Sequence, residues 1–464
     1  MRTTIHALGR VSLASPERVG AAAELLAVQC AEGRVVAVAG ALSGVPDGLR
    51  EAAARAVRGD YGFEAALAAL EDRHFEVLRA CLDVRRQSSA LAGVRHEFNR
   101  IADVLAGVAL LRELSARTLD LLLAHAEWLG GYIVCEALRE RRPEARLLET
   151  REVVATDDRF GRARVDGAAT RARVARWFSG PELAVVATGG VGAAPDGAPT
   201  MLGRGGARLT ASHLAAALSA DELVVWTDTD GIRTADPRHV PRSRAIDCLG
   251  HAEAMELMHF GGDFLDPPAL IPAIRAGVPI RVRNALNPDF PGTLLVAACD
   301  DRRVFTGISS VDGVALLQLQ GSGMIGVTGV AARFFAALAG AGVNVILITQ
   351  ASSEQSICAG IPAADAERAR AATAEAFREE LEGQLVDEVT VEAGLSIVGV
   401  VGERMRRTKG LAARIFGALG EAGVNIRAIA QGSSERNVSM VLAEADAERA
   451  LLALHRELIE RGEP

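Results

Sequence analysis

The chain has 464 residues, 49% of them hydrophobic, with a formal net charge of −8 and a single lysine, Lys409, among 51 Lys+Arg. That apolar share excludes a disordered chain, and the acidic balance with scattered arginines argues against nucleic acid as the main partner. The length predicts two to four domains.

The first 20 residues show no apolar signal region and no apolar run approaches membrane-spanning length, so a soluble, cytoplasmic chain with no membrane partner is expected. Six cysteines lie far apart with no C-x-x-C, which predicts reduced, mostly buried thiols.

In chain order, Val35–Ala39, Leu183–Ala187, Leu223–Thr227 and Pro279–Val282 read as buried strands. They alternate with helical patterns such as Thr210–Leu218 and Ala269–Ala276. That alternation predicts an α/β sheet covered on both faces. From about Asp60 to Leu129, alanine and leucine recur at helical spacing, which predicts a helical insertion. Leu202-Gly203-Arg204-Gly205-Gly206 is a glycine-rich turn opening a helix, an arrangement that offers backbone N–H groups to an anion. It is followed by Thr227-Asp228-Thr229-Asp230-Gly231 at a strand end, then Thr234-Ala235-Asp236-Pro237-Arg238, Glu253-Ala254-Met255-Glu256-Leu257 and Ile280-Arg281-Val282-Arg283-Asn284.

Beyond residue 304 the chain repeats itself at an offset of 81 residues. Gly342-Val343-Asn344 returns as Gly423-Val424-Asn425, Gln350 as Gln431, and Ser352-Ser353-Glu354 as Ser433-Ser434-Glu435. Each copy reads as a βαββαβ unit, which is ferredoxin-like, and the two copies are expected to stack. Gly321-Ser322-Gly323-Met324-Ile325-Gly326 matches G-x-G-x-x-G. No acidic residue ends the next strand and the motif falls inside the repeat, so a turn is expected there rather than a dinucleotide site.

Taken together, the motifs from Val185 to Glu444 resemble the aspartate kinase family within the amino-acid kinase fold. The likeness is nearest to the kinase and regulatory part of the bifunctional aspartate kinase–homoserine dehydrogenases. The resemblance implies an amino-acid kinase α/β/α sandwich over 1–303, then two ferredoxin-like ACT domains over 304–393 and 394–464. It implies ATP and Mg²⁺ as cofactors of a working nucleotide site, with no protein-bound metal set. It assigns Arg204 to the substrate α-carboxylate and Glu127, from His125-Ala126-Glu127, to the substrate amino group. Thr227, Asp228 and Arg238 become nucleotide-binding residues. Asn344, Gln350, Asn425 and Gln431 become ligands of a small amino acid effector, threonine or lysine. The side-chain amides suit a zwitterion because each both donates and accepts. A homodimer through the ACT domains is implied, and a partner enzyme of the aspartate kinase or homoserine dehydrogenase type.

The sequence departs from the family pattern at the phosphate site. Ala7 stands where the family has its central catalytic lysine, and Arg10 replaces the second glycine of the same motif. Ala207 and Arg208 replace Ser-Asp after the glycine turn. Asp263 stands for a second phosphate-binding lysine, Gly190 for an aromatic residue and Arg233 for a tyrosine. Arg10 and Arg208 are the candidate substitutes for lysine, and an exchanged Arg208–Asp263 ion pair across the phosphate site is expected. On these departures the leading expectation is a catalytically impaired homologue acting as a regulatory or sensor subunit. The alternatives are an active aspartate kinase making 4-phospho-L-aspartate, or a repurposed amino-acid-modifying transferase.

Overall fold

The computed structural model describes residues 1–180, 182–260, 266–299, 303–350, 355–432 and 435–461. Up to residue 299 the strands are β1 (Thr3–Leu8), β2 (Arg34–Ala39), β3 (Arg146–Leu148), β4 (Ala184–Thr188), β5 (Val191–Ala193), β6 (Pro199–Met201), β7 (Glu222–Thr227), β8 (Cys248–Gly250), β9 (Ile280–Asn284) and β10 (Thr293–Val296). The helices are α1 (Pro16–Gln29), α2 (Val45–Val57), α3 (Phe63–Cys81), α4 (Val84–Leu111), α5 (Ala116–Arg139), α6 (Gly167–Trp177), α7 (Gly206–Ala217), α8 (His251–Phe260) and α9 (Pro267–Arg275). Beyond them come β11 (Gly307–Gln320), α10 (Val330–Gly340), β12 (Leu347–Gln350), β13 (Ser356–Pro362), α11 (Ala366–Ala376), α12 (Arg378–Glu382), β14 (Glu388–Val401), α13 (Leu411–Glu421), β15 (Ile426–Gln431), β16 (Asn437–Ala443) and α14 (Ala447–His455).

The chain forms two compact units. The first holds residues 1–232, 247–251 and 266–299. Its sheet runs β3-β4-β2-β1-β7-β9-β10-β8 and is parallel from β3 through β9. β1 lies at the centre with all six residues buried, as expected of a parallel strand covered on both faces. One face packs against α1 to α5, where Leu8, Ala37, Val186 and Trp226 join the helices' apolar sides in one core. The other face carries α7, which packs on β1, β2 and β7.

Helix α5 is 24 residues long and apolar enough to cross a membrane, contrary to the expectation that no segment would be; 72% of its most apolar stretch is buried inside the protein. It lies over the turn that follows β2. A Cβ on Gly130 would sit 2.0 Å from the Gly40 carbonyl oxygen, so the crossing requires glycine.

The second unit holds residues 233–246 and 252–260 together with everything described from 303 onward. The repeat shows in the elements: β11 and β14 are each 14 residues long and start 81 residues apart, at Gly307 and Glu388. The two copies do more than stack. β11 and β14 pair antiparallel, from Gly307↔Val401 to Gln320↔Glu388, giving one six-stranded sheet ordered β12-β13-β11-β14-β16-β15. Each copy thereby covers an edge the other would leave open. The outer strands β12 and β15 also meet, with the Thr349 hydroxyl donating to the Ile429 carbonyl at 3.2 Å. Val314, Leu316 and Leu347 of one copy share a core with Leu395, Ile397 and Val441 of the other.

One expectation is corrected here. Cys248 and Cys299 form a disulfide, their Cα atoms 6.2 Å apart, because β8 and β10 are neighbours in the sheet. The G-x-G-x-x-G segment forms the expected turn, a short 3₁₀ stretch at Ser322–Met324, and Cβ atoms on its first two glycines, Gly321 and Gly323, would collide with the Leu385 backbone.

The crossing of α5 is directly testable. Gly130→Ala should destabilise the protein by about 2–4 kcal/mol through overpacking against backbone, read as a lowered urea midpoint. An unchanged midpoint would mean that the helix can lift off the turn without cost.

Candidate active site

The carboxyl ends of β1, β2, β4 and β7 carry the turns Gly9–Arg10, Gly40–Ala41, Gly189–Gly190 and Thr227–Asp228. In open parallel sheets this edge is where ligands bind. Glu127 reaches it from α5. Its Oε2 accepts a hydrogen bond from the Ala41 amide at 3.1 Å, and its carboxyl lies 3.7 Å from where a Cβ of Gly190 would stand. The side chain is half-buried. Burial pushes the Glu127 carboxyl up to about 8, opposed by the Ala41 amide.

His125, two residues earlier, points elsewhere. Its Nδ1 lies 2.5 Å from Glu97 Oε1 on α4, both groups buried. Against the upward push of burial, His125 and Arg100 hold the Glu97 carboxyl below its usual range.

The glycine-rich turn meets the same edge. Leu202 N–H donates to the Gly190 carbonyl at 2.9 Å, and Gly190 N–H to the Thr210 hydroxyl at 3.2 Å. Gly203 and Gly205 adopt φ of +80° and +72°, left-handed values that suit glycine and bring Arg204 to the surface just before α7. Arg208 lies in the first turn of α7, half-buried. Its guanidinium pKa is lowered by burial; nearby Asp266 opposes this, while Arg204 and Arg10 add to it. The structure therefore gathers Arg10, Arg204 and Arg208 with Asp266, whose Oδ2 lies 2.5 Å from where a Cβ of Gly205 would stand. Asp263, the expected partner of Arg208, lies outside the described residues; within them the neighbouring acid is Asp266.

Ala7 is the last residue but one of β1, next to its carboxyl end, opposite Val38 and Val225, and is 1% exposed. Leu8 belongs to the core under α1 to α5, so by alternation Ala7 faces α7. Thr227 is buried, its hydroxyl within reach of the Arg283 carbonyl at 3.1 Å, and Asp228 is exposed. Asp230 accepts from Asn284 and Asn287 at 2.9 and 3.1 Å. Arg238 belongs to the second unit and is clamped by Asp236, with a closest contact of 2.6 Å. Asn344, Gln350, Asn425 and Gln431 are all exposed, and the two glutamines end the outer strands β12 and β15.

Residues 2–284 match the sequence profile of the amino acid kinase family, and residues 317–377 and 398–458 each match an ACT domain. Over 376 residues the chain is 34% identical to the lysine-sensitive aspartokinase 3 of Escherichia coli, covering 79% of this chain and 82% of that protein. The chain belongs to the aspartokinase family. It is 31% identical over 459 residues to the chloroplastic bifunctional aspartokinase/homoserine dehydrogenase 1 of Arabidopsis thaliana, covering 97% of this chain and 50% of that one. It thus spans about half the length of the bifunctional relatives it matches. Escherichia coli aspartokinase III in complex with aspartate and ADP superposes with a TM-score of 0.82 at 29% identity, over 99% of this chain and 100% of that one. The same enzyme in complex with lysine and aspartate gives 0.78.

Sequence motifs located the glycine turn, Glu127 and Thr227–Asp228, but missed two groups in this aspartokinase-family chain. The Ala41 amide carries no side-chain signal. Asp120, an acidic residue among the leucines at the start of α5, was a visible anomaly seven residues before Glu127.

The raised carboxyl of Glu127 gives a pH signature. The unfolded group titrates near 4.5 and the folded one near 8. Its stabilising contribution is complete below 4.5 and is lost as pH rises through 8. Glu127→Gln should therefore match the parent in stability near pH 4.5 and exceed it by about 1–3 kcal/mol at pH 9. Parallel urea titrations at both pH values check this; an equal gap at the two would place the carboxyl in a wetter setting.

Proposed function

We propose that this chain is an aspartate kinase, transferring the γ-phosphoryl group of ATP to L-aspartate under control of a small amino acid bound by its ACT pair. The observation that carries this is the likeness, over nearly the whole chain, to aspartokinase III in complex with aspartate and ADP. The leading expectation from the sequence, an impaired sensor subunit, draws no support from the relatives.

The residues at the cleft fit such ligands. Arg204 would take the α-carboxylate of L-aspartate as a planar fork. Glu127 would take the ammonium, which favours the charged carboxylate. The α7 amino end and the arginines Arg10 and Arg208 present positive charge for phosphates. Thr227 and Asp228 would contact the nucleotide, Asp228 supplying an acidic group for its Mg²⁺, with Arg238 assigned to the phosphates. ATP brings the activated phosphoryl group; the protein's part is to orient the acceptor and offset charge. Gln350 and Gln431, on equivalent strands of the repeat, are assigned with Asn344 and Asn425 to the effector. Association of two chains through the ACT domains completes the reading.

A second reading is favoured by one observation. Ala7 is a buried methyl where the family pattern has lysine, and the chain's one lysine, Lys409, lies in the second unit. Losing one preorganised charge costs roughly 3–4 kcal/mol of transition-state stabilisation, so impaired transfer follows unless arginine replaces it.

Trapping aspartyl phosphate as its hydroxamate, with ATP, Mg²⁺ and L-aspartate, separates the two. Turnover is expected, with Arg208→Ala lowering kcat/KM by about 10²–10³. No signal above an Asp228→Ala control would leave the impaired reading standing.

Binding should also move a proton. In the empty cleft at pH 7 the Glu127 carboxyl is mostly protonated, and an arriving ammonium displaces that proton. Calorimetry of L-aspartate in buffers of different ionisation enthalpy should show release of up to about one proton at pH 7, absent in Glu127→Gln. Uptake of a proton would contradict the assignment.

A further inference from the structure

Asp120 stands on α5 seven residues before Glu127, on the same side of the helix. It is 1% exposed, and burial raises its carboxyl pKa, opposed by two amides and by Arg50. Both amides converge on a single oxygen: Gly161 N–H and Met201 N–H each donate to Asp120 Oδ2 at 2.8 Å.

Those amides belong to separate segments. Gly161 lies at the tip of a turn, 157–164, bearing Arg159, Arg162 and Arg164 and closed by Asp157, which accepts from the Arg159 and Arg164 amides. The turn, with Phe160 among its arginines, lines an open cleft of about 680 Å³. Met201 ends β6 and leads into the glycine-rich turn carrying Arg204. The two segments also touch directly, Ala163 N–H donating to the Met201 carbonyl at 3.0 Å, with the Gly161 carbonyl 3.4 Å from where a Cβ of Gly203 would stand.

We propose that Asp120 is a positioning residue which latches the arginine turn 157–164 to the glycine-rich turn 202–206, so that both present their arginines to an anionic amino acid as one wall. The physical basis is the cost of burial. A carboxylate out of water must be hydrogen-bonded, and one oxygen shared by two amides leaves neither segment free to move without stranding the other's acceptor. Helix α5 then sets both sides of the pocket, Glu127 toward the ammonium and Asp120 behind the carboxylate-binding turns. This rests on the proposed reading of the cleft as an amino-acid pocket.

The test pairs two substitutions with two readouts on the full chain. Asp120→Asn keeps an acceptor oxygen but loses the charge; Asp120→Leu keeps bulk and loses the acceptor. Tryptic cleavage at Arg159, Arg162 and Arg164 and at Arg204 is followed in time, and L-aspartate affinity by calorimetry. The latch predicts that cleavage in both turns rises together in Asp120→Leu. In Asp120→Asn it predicts little added cleavage and about tenfold weaker aspartate binding, the scale of one charge-assisted hydrogen bond. Should the leucine variant fail to fold, the asparagine variant decides by its affinity, with unchanged binding overturning the proposal. Faster cleavage in one turn alone, or in neither, also overturns it. Joint cleavage in a parent protein that binds no L-aspartate would uphold the latch and sink the proposed function.

Discussion

The Gly40 carbonyl oxygen lies where a side chain on Gly130 would begin, 2.0 Å from that Cβ position. This backbone-to-backbone approach fixes the height of α5 over the sheet edge. Two turns of one helix then deliver three different groups: Asp120 behind the glycine-rich turn, His125 back toward Glu97, and Glu127 into the cleft against the Ala41 amide. A helix lifted by one methyl group would move all three at once. The apolar character that lets α5 pass for a membrane span is the price of running through the middle of a core.

The charge arrangement follows from that geometry. A half-buried glutamate with one amide partner holds its proton, so the cleft's positive charge comes from Arg10, Arg204 and Arg208, offset by Asp266. Arginine is planar and weakly hydrated, and it binds carboxylates and phosphates through fixed pairs of N–H groups, whereas lysine acts as a mobile point charge. A site built from arginine thus favours orientation over following a moving phosphoryl group, which is why phosphoryl transfer is the decisive measurement here.

Much of this was legible in the sequence. Buried strands such as Val35–Ala39 show as short β-branched runs, and the 81-residue offset carries β11, α10, β13 and α11 onto the starts of β14, α13, β16 and α14. The glycine turn and the Thr227-Asp228 end were readable because each is local: a handful of adjacent residues fixes the backbone. Contacts between distant segments were not. Nothing near Cys248 announces Cys299, since only the β8–β10 pairing makes them neighbours. Nothing in Thr234-Ala235-Asp236-Pro237-Arg238 reveals that its hairpin is built into the second unit, where Ala235 and Val240 join a core with Leu454 and Ile459, and Thr234 meets His455 at 3.0 Å. The edge pairing of β11 with β14 was hidden for the same reason, since hydrogen-bonded edges carry no side-chain signature.

That pairing bears on how the chain can be divided. β11 and β14 are each 14 residues long, and each is the other's neighbour on one side. A fragment that kept one repeat and lost the other would uncover a long strand edge with its N–H and C=O groups unpaired. Such an edge recruits any extended chain in reach, including a second copy of itself. Nicking or truncation between the repeats would therefore turn the paired ACT repeats into an aggregation seed, and quality control acting on this protein would have reason to remove it whole.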